Sequence, residues 1–347
     1  MEEDAVTDPG TPAPPHRLMD IVSGLWAAKA LAVATRMDLF SDLSAAPGLP
    51  VAEVAARHGI AERPAELLLT ACAGLGLLVR EDEGYANTPE AETYLVRGRP
   101  EYFGDAVLSF DHRYAGWMRL DEAVAGNVPT NFDPRAKESM FDAQDALLKK
   151  TYWSSMYALS APSARALAEV LGLGGVRRLL DVGGGAAAYD IELCRRYPDL
   201  RATVLDLPFV CELTRERVEE AGLGDRISLT PGDFLRDAAL PTGHDAVLLS
   251  QIMHNWDEPT NRAILHKCHA ALPPGGLIVI SELLVDDTKD GPLLPALMSL
   301  HMLVSTWGQN YTPSEYERWL TETGFTNVRT VRFSAPGADG AVVGVKG

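Results

Sequence analysis

Cysteine is scarce: four in 347 residues, at Cys72, Cys194, Cys211 and Cys268, and none in a CxxC spacing. That argues against a disulfide framework and against a thiolate zinc site, and suits reduced thiols in a cytosolic protein. Positive charge is also short, with 31 Lys and Arg against 48 Asp and Glu, a formal net charge of −17. A chain this acidic repels phosphate backbones, so nucleic acid is not an expected partner. No unbroken apolar run reaches the roughly 18 residues of a membrane span, so the chain is not expected to enter a bilayer. The N-terminus has neither the basic nor the apolar segment of an export signal, which makes a cytoplasmic location the expectation. There is no GK[ST], which excludes a Walker-type phosphate loop.

The composition that remains is ordinary for a globular protein, 46% hydrophobic and 23% charged, and the texture changes along it. Residues 1–16, rich in Pro and acid, read as a disordered tail. Residues 17–100 read as a winged-helix-like domain. Apolar positions from Leu18 to Leu43 fit helices. Two short helices follow Pro50, and LLVREDEGYANT is a two-stranded wing turning at Asp82–Gly84. The helix that would enter a DNA groove, ERPAELLLTACAGLGLL, holds one Arg and two Glu. Packing or dimerisation is therefore the expected use of the wing rather than DNA binding. Residues 101–170 read as continuing helix. Its Trp117, Met118, Phe141, Tyr152, Trp153 and Met156 serve as core or as the wall of an apolar substrate pocket.

From 171 to 347 short apolar runs alternate with helical stretches: RRLLDV, RATVLDLP, RISLTPGDF, HDAVLLS and GGLIVISELL, then FTNVRTVRF and GAVVGVKG close together. This alternation predicts an α/β Rossmann-like domain, a mostly parallel sheet with an antiparallel edge strand. The first run ends in Asp181-Val182-Gly183-Gly184-Gly185, where bare backbone and a helix N-terminus can receive a ligand. Gly183-x-Gly185-x-x-Ala188 meets a loose dinucleotide pattern, with Asp206 about 20 residues on. Asp181 separates the cofactors. A carboxylate beside the glycines opposes the pyrophosphate of NAD but favours S-adenosylmethionine, whose net charge is +1. Asp206 with Leu207 closes the second strand and suits the two ribose hydroxyls. Asp233 and Phe234 close the third and suit the adenine amino group and ring. All of these lie at the carboxyl ends of parallel strands, where open sheets bind ligands.

The fourth strand runs out into Met253-His254-Asn255-Trp256-Asp257, and Glu282 ends the next. An imidazole oriented by a carboxylate is suited to strip a proton near neutral pH, as a methyl acceptor requires. His266, Cys268 and His269 lie on a helix where Cys268 points away from the two histidines, so no metal is expected. Met298 and Met302 are four apart on a helix and share a face, making them, with Met156, candidates for the substrate pocket.

LLDVGGG, VLDLP and VLLSQIMHNWDEPTNRAILHKCHAALPPGGLIVISELL together resemble the plant caffeate/isoflavone type of S-adenosylmethionine-dependent O-methyltransferase, in style its bacterial antibiotic-tailoring branch. The resemblance spans nearly the whole chain. It implies a homodimer formed by the N-terminal domain and no metal. Gly183, Asp206, Asp233, Phe234 and Ser250 then serve as cofactor contacts, His254 as general base and Glu282 as the carboxylate that orients it. Trp153, Asn255 and the methionines would face a small aromatic substrate, and S-adenosylhomocysteine would be the product. The chain departs from the family pattern at Ala187, where a third glycine is usual, and at Asn310, where a second orienting carboxylate is usual. Two alternatives stay open: a relative that kept the cofactor but runs hydroxylation or decarboxylation, and a ligand-sensing transcription factor.

Overall fold

The computed structural model describes residues 14–82, 84–131 and 146–347. Most of the expected tail, Glu83 of the wing turn, and Phe141 lie outside the described residues. Two compact units divide between Asp111 and His112.

In the N-terminal unit, α1 (His16–Arg36), α2 (Leu39–Ala45), α3 (Val51–His58) and α4 (Glu62–Gly74) enclose a core of Leu39, Phe40, Leu43, Val54, Leu69 and Cys72. Helix α1 starts at His16, the last residue of the run of sequence without apolar periodicity. The wing is present and has a third strand. Strands β2 (Leu78–Glu81) and β3 (Gly84–Asn87) pair antiparallel, and β1 (Leu49–Pro50) adds to the outer edge of β3. Helices α5 (Pro89–Tyr94) and α6 (Gly104–His112) complete the unit. Asp111 on α6 takes both Lys29 and Arg36 of α1, which holds its carboxyl below the usual range despite burial. The outer face of α1 exposes Leu18, Met19, Ile21, Val22, Leu25 and Trp26. By length and composition α1 is also apolar enough to cross a membrane. The expectation from unbroken runs overlooked this, because Asp20 and Lys29 interrupt an otherwise apolar stretch.

Residues 101–170 do not form one continuous helix. After α6 come α7 (Tyr114–Trp117), α8 (Leu120–Gly126) and α9 (Ala146–Val170). Gly116 lies where a side chain would collide with Asn131, and Asn127 ends α8 with a left-handed φ of 49°. The left-handed turn at Asn127 ends the helical run there.

The catalytic unit follows the expected alternation: β4 (Arg178–Val182), α10 (Ala188–Arg196), β5 (Arg201–Asp206), α11 (Pro208–Glu220), β6 (Ile227–Pro231), β7 (Ala246–Ser250), α12 (Glu258–Ala271), β8 (Leu277–Glu282), α13 (Leu293–Ser305), α14 (Pro313–Thr323), β9 (Phe325–Arg332) and β10 (Gly340–Lys346). The sheet order is β6-β5-β4-β7-β8-β10-β9. Five strands are parallel, and β10 is antiparallel to both β8 and β9. Alternation along β4 sends Leu179 to one core layer and Leu180 to the other, so both faces of the sheet are covered. Side-chain caps fix where the helices start. Asp257 accepts from Thr260 N at the head of α12, and Thr312 and Glu315 form a reciprocal capping box on α14.

Candidate active site

The chemistry-bearing residues gather where β4, β5, β7 and β8 end. After β4 the chain turns with φ of 74° at Gly183 and 53° at Gly185. A Cβ at Gly183 would lie 2.5 Å from Ile252 Cδ1 and 3.2 Å from Phe234 Cε1. That position is therefore closed to any side chain, and the backbone stays bare beside the Phe234 ring. Ala187 stands at φ 56°, a conformation disfavoured for a residue with a Cβ, and opens α10 without a capping side chain.

Asp206 is the best-fixed acid. Its Oδ2 accepts from Gly185 N at 2.9 Å and its Oδ1 from Leu207 N at 2.7 Å. Burial pushes its pKa up to about 6 against these two bonds, which pull it down. The carboxylate so held keeps lone pairs for two further donors. Asp233 accepts from Leu235 N and Arg236 N through Oδ1, which fixes the loop that carries Phe234. Ser250 is half-buried at the end of β7, in register with Ser281.

Asp181 is placed differently from a free acid at the cofactor. It is 1% exposed, and a Cβ on Gly184 would lie 2.6 Å from its Oδ2, so the loop covers it. Its neighbour is Asp190 of α10, which sequence reasoning missed. Burial, then the Asp190 charge, raises the Asp181 carboxyl well above the usual range, while Asp190 rises to about 6. Burial and the charge of the neighbouring carboxyl together favour the protonated form of this pair beneath the glycines.

His254 sits in a single 3₁₀ turn, Met253–Asn255, directly after β7. Its Nδ1 lies 3.0 Å from Glu282 Oε2. The distance is that of an ion pair, while the angle falls short of hydrogen-bond alignment. Glu282 is wholly buried, and its Oε1 accepts from the N–H groups of Met253 and His254 at 3.0 and 3.4 Å. One carboxylate thus fixes both the turn and the ring, leaving Nε2 as the nitrogen able to take a proton. Asn310 donates to Leu283 O at 2.7 Å, one residue past Glu282. Its Oδ1 is buried without a hydrogen-bond partner among the described residues.

Of the expected substrate residues, Met298 is half-buried and Met302 is 6% exposed on α13, and Met156 is half-buried on α9. Trp153 stands against the cofactor loop, with its Cζ3 3.1 Å from where a Gly185 Cβ would be. Asn255 spends its amide on Gln251 O and Ile252 O, where it closes the turn.

Residues 117–326 match the O-methyltransferase domain and residues 19–97 the O-methyltransferase dimerisation domain. The chain belongs to the O-methyltransferase family. It is 50% identical over 96% of its length, and 95% of the relative's, to the 3-hydroxy-5-methyl-1-naphthoate 3-O-methyltransferase of Streptomyces sahachiroi. It is 32% identical over 93% of its length, and 94% of the relative's, to the tetracenomycin polyketide synthesis 8-O-methyl transferase of Streptomyces glaucescens. Human N-acetylserotonin methyltransferase, solved in complex with S-adenosylmethionine, superposes with a TM-score of 0.88 at 27% identity. That match covers 98% of this chain and 100% of the human one. This O-methyltransferase is S-adenosylmethionine-dependent, and the bare glycine cradle with Asp206 behind it fits that cofactor.

Proposed function

We propose that this O-methyltransferase methylates a phenolic hydroxyl of a small aromatic natural-product intermediate, with His254 as general base. The observation that carries the reading is the His254–Glu282 pair at the same sheet edge as the Asp206 cradle. The cofactor supplies an electrophilic methyl group on a sulfonium and leaves as the neutral thioether S-adenosylhomocysteine. Nε2 of His254 takes the phenol proton as the oxygen forms its bond to the methyl carbon. The Glu282 carboxylate faces Nδ1 and favours the imidazolium that results. Asn310 steadies the strand end through Leu283. No covalent enzyme intermediate is needed, so the larger share of the rate comes from holding oxygen and methyl in line. Incubation with methyl-labelled S-adenosylmethionine and a panel of hydroxylated arenes, followed by mass spectrometry, tests the reading. Methyl ethers are expected; hydroxylated or decarboxylated products, or none, overturn it. One Streptomyces relative is named for a hydroxynaphthoate and the other for tetracenomycin polyketide synthesis, which supports antibiotic biosynthesis as the setting.

The same reading assigns the outer face of α1 to a second copy of the chain in the cytoplasm. Residues 19–97 match a dimerisation domain, and that helix exposes six large apolar side chains. Obligate interfaces bury more than about 2,000 Å². Light scattering at micromolar concentration should therefore give twice the chain mass, and Ile21→Asp with Trp26→Asp should halve it. A single-chain mass for the unaltered protein would contradict this.

A further inference from the structure

The crossover from β6 to β7 has no helix. It leaves the edge of the sheet and returns past β5 and β4 through residues 232–245, none of which lies in a helix or strand. A parallel crossover is usually helical, and a helix satisfies its own carbonyls. The carbonyls of this one need donors from elsewhere, and Lys267 of α12 supplies them. Its Nζ donates to Phe234 O and Leu235 O, both at 2.9 Å, and to Asp237 O at 2.7 Å. An ammonium has three protons, and three carbonyls converge on them. Because the lysine grips main chain, its place sets the path of the loop rather than the pose of one side chain.

The loop so gripped carries Asp233 and Phe234. Asp237 Oδ2 accepts from Asp233 N at 2.8 Å, and Asp233 Oδ1 accepts from Leu235 N and Arg236 N. These bonds curl the loop on itself, and Lys267 ties the curl to a packed element. Ile264, Leu265 and Cys268 of α12 are buried in the core on that face of the sheet. Asn261 of the same helix donates to Met253 O and Trp256 O, on either side of His254, at 2.9 and 3.1 Å. One helix therefore bears on both the Asp233–Phe234 loop and the turn of the base. The Phe234 ring stands 3.2 Å from where a Gly183 Cβ would be, so a shift of the Phe234 carbonyl moves that ring against the glycine turn. Asp233 Oδ2 meets the exposed guanidinium of Arg236 at 3.5 Å, beyond a good hydrogen bond, and is the oxygen able to accept from an amino group.

We propose that Lys267 is a positioning residue for the cofactor. By holding the main chain at 234, 235 and 237 it keeps Asp233 and Phe234 where they read the adenine ring, and so sets the selectivity for a 6-aminopurine. This rests on adenine lying against Asp233 and Phe234. Lys267 acts through the loop, with charge-assisted bonds about twice as strong as those of a neutral donor.

The test is calorimetric binding of S-adenosylhomocysteine and of S-inosylhomocysteine, in which an oxo group replaces the 6-amino group. It needs no methyl acceptor, so its outcome is separate from that of the proposed methylation. The unaltered enzyme should prefer the adenosyl form by about 10- to 150-fold, the usual span for a hydrogen bond to a charged group. K267M should raise the Kd for S-adenosylhomocysteine about 10-fold and bring the preference toward unity. K267R, which keeps the charge but spreads its donors in a planar fork, should retain part of both. If K267M does not fold, K267Q, neutral and one atom shorter, reads the same ratio. Affinity and preference unchanged in these variants overturn the proposal. Weaker binding with the preference intact also overturns it, because the lysine then only stabilises the fold. No preference in the unaltered enzyme removes the adenine reader itself, and the proposal with it.

Discussion

His254→Ala should lower kcat by about 10²–10⁴-fold, the usual worth of a general base, with little change in affinity for S-adenosylmethionine. The second half of that expectation comes from position. His254 stands beyond the end of β7, whereas the acids and glycines of the cradle are carried by the ends of β4, β5 and β6. The loss should shrink as pH rises toward the ionisation of the phenol itself, because an acceptor already ionised no longer needs a base. Glu282→Gln should cost less than His254→Ala. An amide there can still receive one of the N–H bonds of Met253 and His254, but carries no charge to favour the imidazolium. Turnover of His254→Ala equal to that of the unaltered enzyme between about pH 6 and 9 would show that the protein only positions a phenolate.

Asp206→Ala should weaken S-adenosylmethionine binding by roughly 10- to 150-fold, from the loss of charged hydrogen bonds worth about 1.5–3 kcal/mol. The substitution also releases Gly185 N, which donates to Oδ2 and helps fix the loop. The pH dependence has a definite sign. The Asp206 pKa is pushed up to about 6 by burial, and ribose hydroxyls donate best to the ionised form. Affinity is therefore full above pH 6 and declines as pH falls through it. The linkage to folding runs the other way. A carboxyl whose pKa is raised by folding binds its proton more tightly in the native state. Its contribution to stability is present at low pH and is lost as pH rises toward 6. Calorimetric titrations at pH 5 and pH 7.5 separate the two: unchanged affinity at both values would mean that Asp206 is not the ribose acceptor.

The elements that set up this site were readable because their signals are local. RRLLDV and GGLIVISELL are apolar runs bounded by glycines, after the first and before the second, and Asp206, Asp233 and Glu282 each fall at a strand end that the runs themselves mark. Side-chain use beyond the strand ends was not readable. Asn255 looks like a substrate residue one position after His254, yet its amide closes the turn on Gln251 and Ile252. Trp153 looks like pocket wall and lies against Gly185. Asp190 carries no motif, and only the packing of α10 back over the sheet at β5 places it beside Asp181. Residues 101–170 have apolar spacing that suits a helix, but the left-handed φ of Asn127 ends α8, a turn that the spacing does not encode. His301 did leave a trace, as the lone polar ring in an apolar helix three residues after Met298. Its partners Trp117 and Arg113 lie almost 190 residues away in the chain.

Strand β10 is the last of these elements to be synthesised. It runs antiparallel between β8 and β9, with Gly340 opposite Glu282 and Asp339 N donating to the Glu282 carbonyl. Until residues 340–346 have left the ribosome, the strand that ends in Glu282 keeps one edge unpaired. The turn that bears His254 then hangs on an unfinished sheet. Every nascent chain therefore passes through a stage in which the cradle of β4 and β5 can already form while the base cannot yet be held. In that interval the open edge of β8 is a template for any other extended segment.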